Sequence, residues 1–130
     1  MIKMEAKEKL LYHFQDLEGF LVQMYSGKWN HVQFIELIQL AIKYCQEIEG
    51  KTQLSREIAE GFYTLDIQSR DLIHKYPFTT QFSGEYYSRC LELIGFIVGW
   101  FFSDQSPFDK IESFEKELDA INVLSKENKE

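Results

Sequence analysis

The sequence predicts an all-α protein, a single-domain antiparallel bundle of four to five helices, and three observations carry that reading. Apolar residues recur at three- and four-residue intervals over long stretches. Two Pro and seven Gly in 130 residues leave too few turn formers for a protein of many short strands. Each apolar stretch is also bounded by residues that start or stop helices. A chain of this length holds one core and not two ordinary domains. Residues 1–124 are therefore read as the bundle and 125–130 as a frayed polar tail.

The first segment is expected from about Lys3 to Tyr25, with Leu10, Phe14, Leu17, Leu21 and Met24 along one helical face. Gly27 stands where a helix commonly stops in a left-handed conformation. The second starts at Asn30, a capping residue with Gln33 three positions on and with Trp29 and Phe34 placed as a hydrophobic staple. Its stripe of Ile35, Ile38, Ile42 and Cys45 is widened by Leu37, Leu40, Ala41, Tyr44 and Ile48, as in a helix contacted on more than one side. Gly50 closes it.

The third segment is expected over Gln53–Tyr76 and ends before Pro77, since the residue preceding proline disfavours helical geometry. Leu54, Ile58, Phe62, Leu65, Leu72 and Tyr76 form its core face, with Ser69 at the remaining position of that face. Opposite runs a polar stripe of Gln53, Glu57, Glu60, Thr64, Gln68, Asp71 and Lys75, flanked by Tyr63, Ile67 and His74. The fourth begins near Ser83, with Phe82 and Tyr87 as a second staple, and reaches Phe102. Leu91, Ile94, Val98 and Phe101 share a face, and Phe96, Ile97 and Trp100 carry apolar character around the circumference, the mark of a central helix. Gly95 and Gly99 make a GxxxG pair, read here as close packing of a neighbouring helix rather than as a dimer contact. The fifth opens with Ser106 as a cap and Pro107 at the first helical position. Ile111, Phe114, Leu118 and Ile121 bind it to the core, with Glu112, Glu115 and Asp119 outside. Connections of about four to seven residues predict that successive helices pack antiparallel.

Composition narrows function. Hydrophobic residues at 45% against charged residues at 27% describe a folded globular chain. Eleven Phe, seven Tyr and two Trp call for either a bulky core or an aromatic surface left for a partner. The formal net charge of −7, from 21 acids and 14 bases, repels phosphate backbones and anionic lipid, so nucleic-acid and membrane-surface roles are disfavoured. The same charge either steers a basic partner or only keeps the protein soluble. The most apolar stretch, Leu93–Phe102, is about half of what a membrane span needs. The charged amphipathic start at Met1–Lys9 has no signal-peptide core. Cys45 and Cys90 sit in apolar helical stretches and read as buried reduced thiols. These features predict a cytosolic protein.

Catalytic constellations are not found. A di-iron bundle needs two Glu-x-x-His units, and the nearest match is a single Asp71-x-x-His74 pointing away from the apolar stripe. His13 and His31 have no acidic residue at ligand spacing. Neither cysteine has a histidine in helical register. Glu57 and Glu60 form a carboxylate pair on a solvated stripe, where nothing raises a pKa. No GxSxG, P-loop or dinucleotide fingerprint occurs. The sequence therefore reads as a non-enzyme without cofactor or metal.

What remains is surface. Glu57, Glu60, Tyr63, Ile67, Asp71 and His74 of the third segment, with Glu112 and Asp119 of the fifth, are the candidate partner-binding residues, acids beside aromatic and aliphatic anchors. The competing reading packs Tyr63 and Ile67 against another helix and folds the Pro77–Phe82 loop, with Phe78, back onto the core.

The stretches Phe62–Ile73 and Glu92–Phe102, set in a small, acidic, aromatic-rich helical chain, resemble the immunity proteins that bacteria make against their own toxins. The best-known kinds guard against colicin-type nucleases and contact-dependent growth inhibition toxins. The resemblance implies a cognate basic toxin domain as partner, often a nuclease. Its active or substrate-binding surface would be blocked by acids that take the place of phosphates. Two alternatives stand beside it: a helical adaptor whose groove takes an amphipathic partner helix, and a metal-dependent helical-bundle enzyme. A homodimer through the fourth helix is compatible with all three.

Overall fold

A computed structural model describes residues 5–75 and 81–127. Among them are six helices and no strand: α1 Ala6–Gln15, α2 Phe20–Tyr25, α3 His31–Glu47, α4 Arg56–Lys75, α5 Gly84–Ser103 and α6 Ile111–Ser125. α1 packs on α3 and α4, and α5 packs on the same two, so these four helices close into a ring around the core. α6 adds to the outside of α5, and short α2 lies against α1, α4 and α3. The helical bundle read from the sequence is the architecture. The expectation that every successive pair packs together fails at α3 and α4, which meet α1 and α5 rather than each other as their main neighbours.

Several boundaries form for the reasons their residues supply. The Asn30 side chain accepts from the Gln33 N–H at 3.0 Å, and the Trp29 ring lies 5.5 Å from Phe34, so cap and staple start α3 together. Ser83 caps α5 by accepting from the Tyr86 N–H at 3.1 Å, with Phe82 6.0 Å from Tyr87. Gly27 and Gly50 have φ of 85° and 81°, the left-handed stops expected of them. Asp104 stops α5 in the same region at φ 59°; its carboxylate accepts from the Gly50 N–H at 3.0 Å and ties the two chain reversals together.

Three expectations are corrected. The first segment is broken into α1 and α2. Asp16 turns extended and its carboxylate accepts from the Glu18 N–H at 2.9 Å, while Gly19 passes so close to the Tyr12 carbonyl and the His13 backbone that a Cβ would overlap them. Leu17, placed on the core face by periodicity, sits in that break and is 82% exposed. α4 starts at Arg56, which leaves Leu54 and Gln53 in the preceding exposed loop. α6 starts at Ile111 rather than Pro107, because the Ser106 hydroxyl bonds both the N–H and the carbonyl of Phe108 and holds a local turn instead of capping. Lys3, Tyr76, Pro77, Phe78 and the last three residues lie outside the described residues.

Aromatic side chains fill the core. Phe14, Phe62 and Phe101 interlock between α1, α4 and α5, and Trp100 stacks on Phe114 at 5.4 Å to seat α6. Ser69 is fully buried on the core face of α4, where its hydroxyl donates to the Asp66 carbonyl at 3.3 Å. Cys45 and Cys90 are buried and free. The close packing expected at Gly95 and Gly99 is absent: a Cβ on either meets open space, so both face away from every helix described. No helix among the described residues is long and apolar enough to cross a membrane.

Candidate functional site

α6 packs on α5, with the Phe114 ring stacked on Trp100, and its Ile111, Glu115, Leu118, Asp119 and Asn122 line a surface toward α3. The matching wall of α3 presents Ile35, Gln39 and Ile42, and between the two helices lies a cleft of about 340 Å³. It continues past Val32 and Glu36 into a recess of about 330 Å³ that shares Ile35, Gln39 and Asn122. The lining is mixed, with Ile35, Ile42 and Ile111 beside the polar side chains of Gln39, Glu115, Asp119 and Asn122. Val32, at 75% exposure, extends its apolar part to the open end.

That end is fixed by a polar chain. Trp29 Nε1 donates to the Tyr86 hydroxyl at 3.0 Å, because an indole nitrogen can only donate. The tyrosine O–H is then free to donate to His31 Nδ1 at 2.8 Å, which leaves His31 Nε2–H to donate to Asn122 Oδ1 at 2.7 Å. Burial first, and then neighbouring Cys90, hold the Tyr86 hydroxyl above the usual tyrosine range, so it stays a donor. The start of α3 is thereby tied to α5 and to the end of α6.

The cleft is edged by acids and by no lysine or arginine. Among the described residues Glu115 and Asp119 make no ion pair. Glu36 is positioned by His13, whose Nε2 lies 2.7 Å from its carboxylate although His13 itself is 1% exposed. Arg89 of α5, which lines neither part of the cleft, pairs with Glu85 at 3.6 Å and Glu117 at 3.7 Å.

The eight residues singled out from the sequence divide. Glu57, Glu60, Tyr63, Ile67, Asp71 and His74 are all exposed on α4, with Tyr63 at 62%, so the reading that buried Tyr63 and Ile67 against another helix is overturned. Phe82 does turn inward, stacked on Tyr86 at 4.2 Å. The negative character of the α4 face is partly cancelled: Asp71 pairs with Lys75 at 3.0 Å, and neighbouring Asp66 with Arg70 at 2.7 Å. Glu57 and Glu60 border a smaller recess of about 160 Å³ against α1 and α2. Glu112 and Asp119 are exposed on α6, which meets different neighbours, and Asp119 belongs to the α3–α6 cleft.

Sequence reasoning missed Glu36, Gln39, Asn122 and the two histidines, and it assigned Ile35 wholly to the core. The only signal was the excessive width of the second apolar stripe, which does not say what stands opposite. The chain matches no known protein family, no curated protein and no solved structure.

Proposed function

We propose that this protein is a non-catalytic, cytosolic binding protein that captures a basic protein partner and, following the resemblance to bacterial immunity proteins, neutralises a cognate toxin domain by covering its active or substrate-binding surface. One observation carries the reading: a concave cleft with apolar patches at Ile35, Ile42 and Ile111, edged by Glu36, Glu115 and Asp119 and with no lysine or arginine in its walls. An apolar centre with a charged rim suits protein association, and the net charge of −7 steers a basic partner toward it. The buried cysteines fit a reducing compartment, and burial pushes the Cys45 thiol up to about 12, far from the thiolate a nucleophile needs.

The test is co-expression with the toxic domain of an exported protein encoded beside the gene. The unaltered chain should protect cells and co-purify with that domain. Protection should be lost on Glu115→Lys with Asp119→Lys and retained on Glu57→Lys with Glu60→Lys. The reverse pattern would move the binding surface to α4, and no protection by the unaltered chain would end the toxin reading.

A further inference from the structure

The two walls of the cleft have matching length and period. The α3 wall runs from His31 to Ile42 and the α6 wall from Ile111 to Asn122. Each spans twelve residues, about 17 Å or three helical turns from end to end. Ile35 and Ile42 are seven residues apart, as are Ile111 and Leu118, so apolar positions recur every two turns on both sides. The groove between two such helices accepts the ridge of a third helix with the same spacing.

An extended segment is a poor occupant. The described residues contain no strand edge to pair with its backbone, and the few polar side chains of the cleft, Gln39 and Asn122 among them, cannot replace a ladder of backbone hydrogen bonds. A helix satisfies its own backbone and needs only side-chain complementarity. That complementarity is stated by the rim, with Glu36 on the α3 side and Glu115 and Asp119 on the α6 side.

We propose that the cleft receives a helix of about three turns from the partner, with apolar residues at i, i+3 or i+4 and i+7 against the partly exposed Ile35 and Ile111, and with lysines or arginines against Glu36, Glu115 and Asp119. This rests on the reading of the cleft as the binding surface, but it is independent of whether the partner is a toxin.

The experiment is selection of a displayed random library of peptides of about fifteen residues against the whole chain, with binders measured by anisotropy against the chain and against its Glu115→Lys, Asp119→Lys form. Both substitutions are on exposed positions, and circular dichroism checks that the variant folds. Enriched peptides should share the apolar spacing and flanking Lys or Arg, gain helicity on binding, and bind the variant roughly tenfold more weakly. Enrichment of proline-containing or aperiodic peptides would overturn the helix, as would binding that the variant leaves unchanged. Loss of an intact toxin domain's binding in the variant, together with aperiodic peptides, overturns the helix and spares the cleft. Periodic peptides that bind the cleft, with no toxin protected against, support the helix and end the toxin reading.

Discussion

Three glycines on two helices show how the meaning of a residue depends on what stands opposite it. Gly61 lies in the middle of α4 directly under the Phe14 ring, so a Cβ would overlap a buried aromatic that packs edge-on against Phe62 at 5.4 Å. Gly95 and Gly99 of α5 face open space. Alanine at an unobstructed interior helical position gains about 0.5–1 kcal/mol over glycine. At Gly61 that gain is outweighed by overpacking, which costs about 1–3 kcal/mol. Gly61→Ala should therefore lower the urea midpoint while Gly95→Ala raises it, and equal shifts in one direction would contradict the packing described. The sequence alone made Gly95 and Gly99 the close-packing pair and offered no reason to single out Gly61. Periodicity identifies the face of a helix, but not which neighbour crosses it or how closely. Ser69 was legible because its place on the α4 core face follows from register alone.

At the scale of the element, legibility followed the locality of the signal. The starts of α3 and α5 were readable because cap, N–H and staple lie within six residues of one another. Ser106–Pro107 carries the same type of signal, yet the Ser106 hydroxyl turns to Phe108, whose ring packs on Phe96 and Phe114. A tertiary contact there outcompetes the local cap, and α6 begins four residues later with no side-chain cap. The break between α1 and α2 was likewise invisible, since one apolar stripe runs through it. Removing the α3 cap by Asn30→Ala should cost about 1 kcal/mol, read as a lower midpoint of thermal or urea unfolding. Ser106→Ala should cost clearly less, because that hydroxyl holds an exposed turn and no helix end. A Ser106→Ala loss as large as that of Asn30→Ala would show that the turn orients α6, and with it one wall of the cleft. The cleft itself was not readable. Its residues come from α3 and α6, about eighty positions apart, and only the seating of α6 on α5 brings them face to face.

Across the whole molecule, burial of weakly acidic groups links the core to pH. Burial first, with the Asp104 carboxylate adding to it, pushes the Cys45 thiol from 9.0 up to about 12. Burial likewise raises Cys90 and the hydroxyls of Tyr86 and Tyr87 above their ordinary values. In the unfolded chain these groups lose their protons near their ordinary values, while the folded chain keeps them. Above about pH 9 the unfolded state therefore binds fewer protons than the folded one, and stability must fall as pH rises. The contribution of Cys45 is fully present below its ordinary value of 9.0 and is lost progressively up to about 12. Over the two pH units from about 9 to about 11, one such thiol accounts for about 2 kcal/mol. Cys45→Ala will lower stability at neutral pH, since it leaves a small void in the core, so the informative quantity is the slope with pH. Urea unfolding at about pH 9 and about pH 11 should show a smaller loss in the alanine variant than in the unaltered chain. Equal losses would mean that Cys45 ionises in the folded protein, and hence that water reaches the junction of α3 with the end of α5. The α3–α6 cleft depends on the same buried framework, because Tyr86 ties His31 to the core and His31 ties Asn122 to α3. Partner binding should therefore fail over the alkaline range in which the fold itself is lost, and not before it.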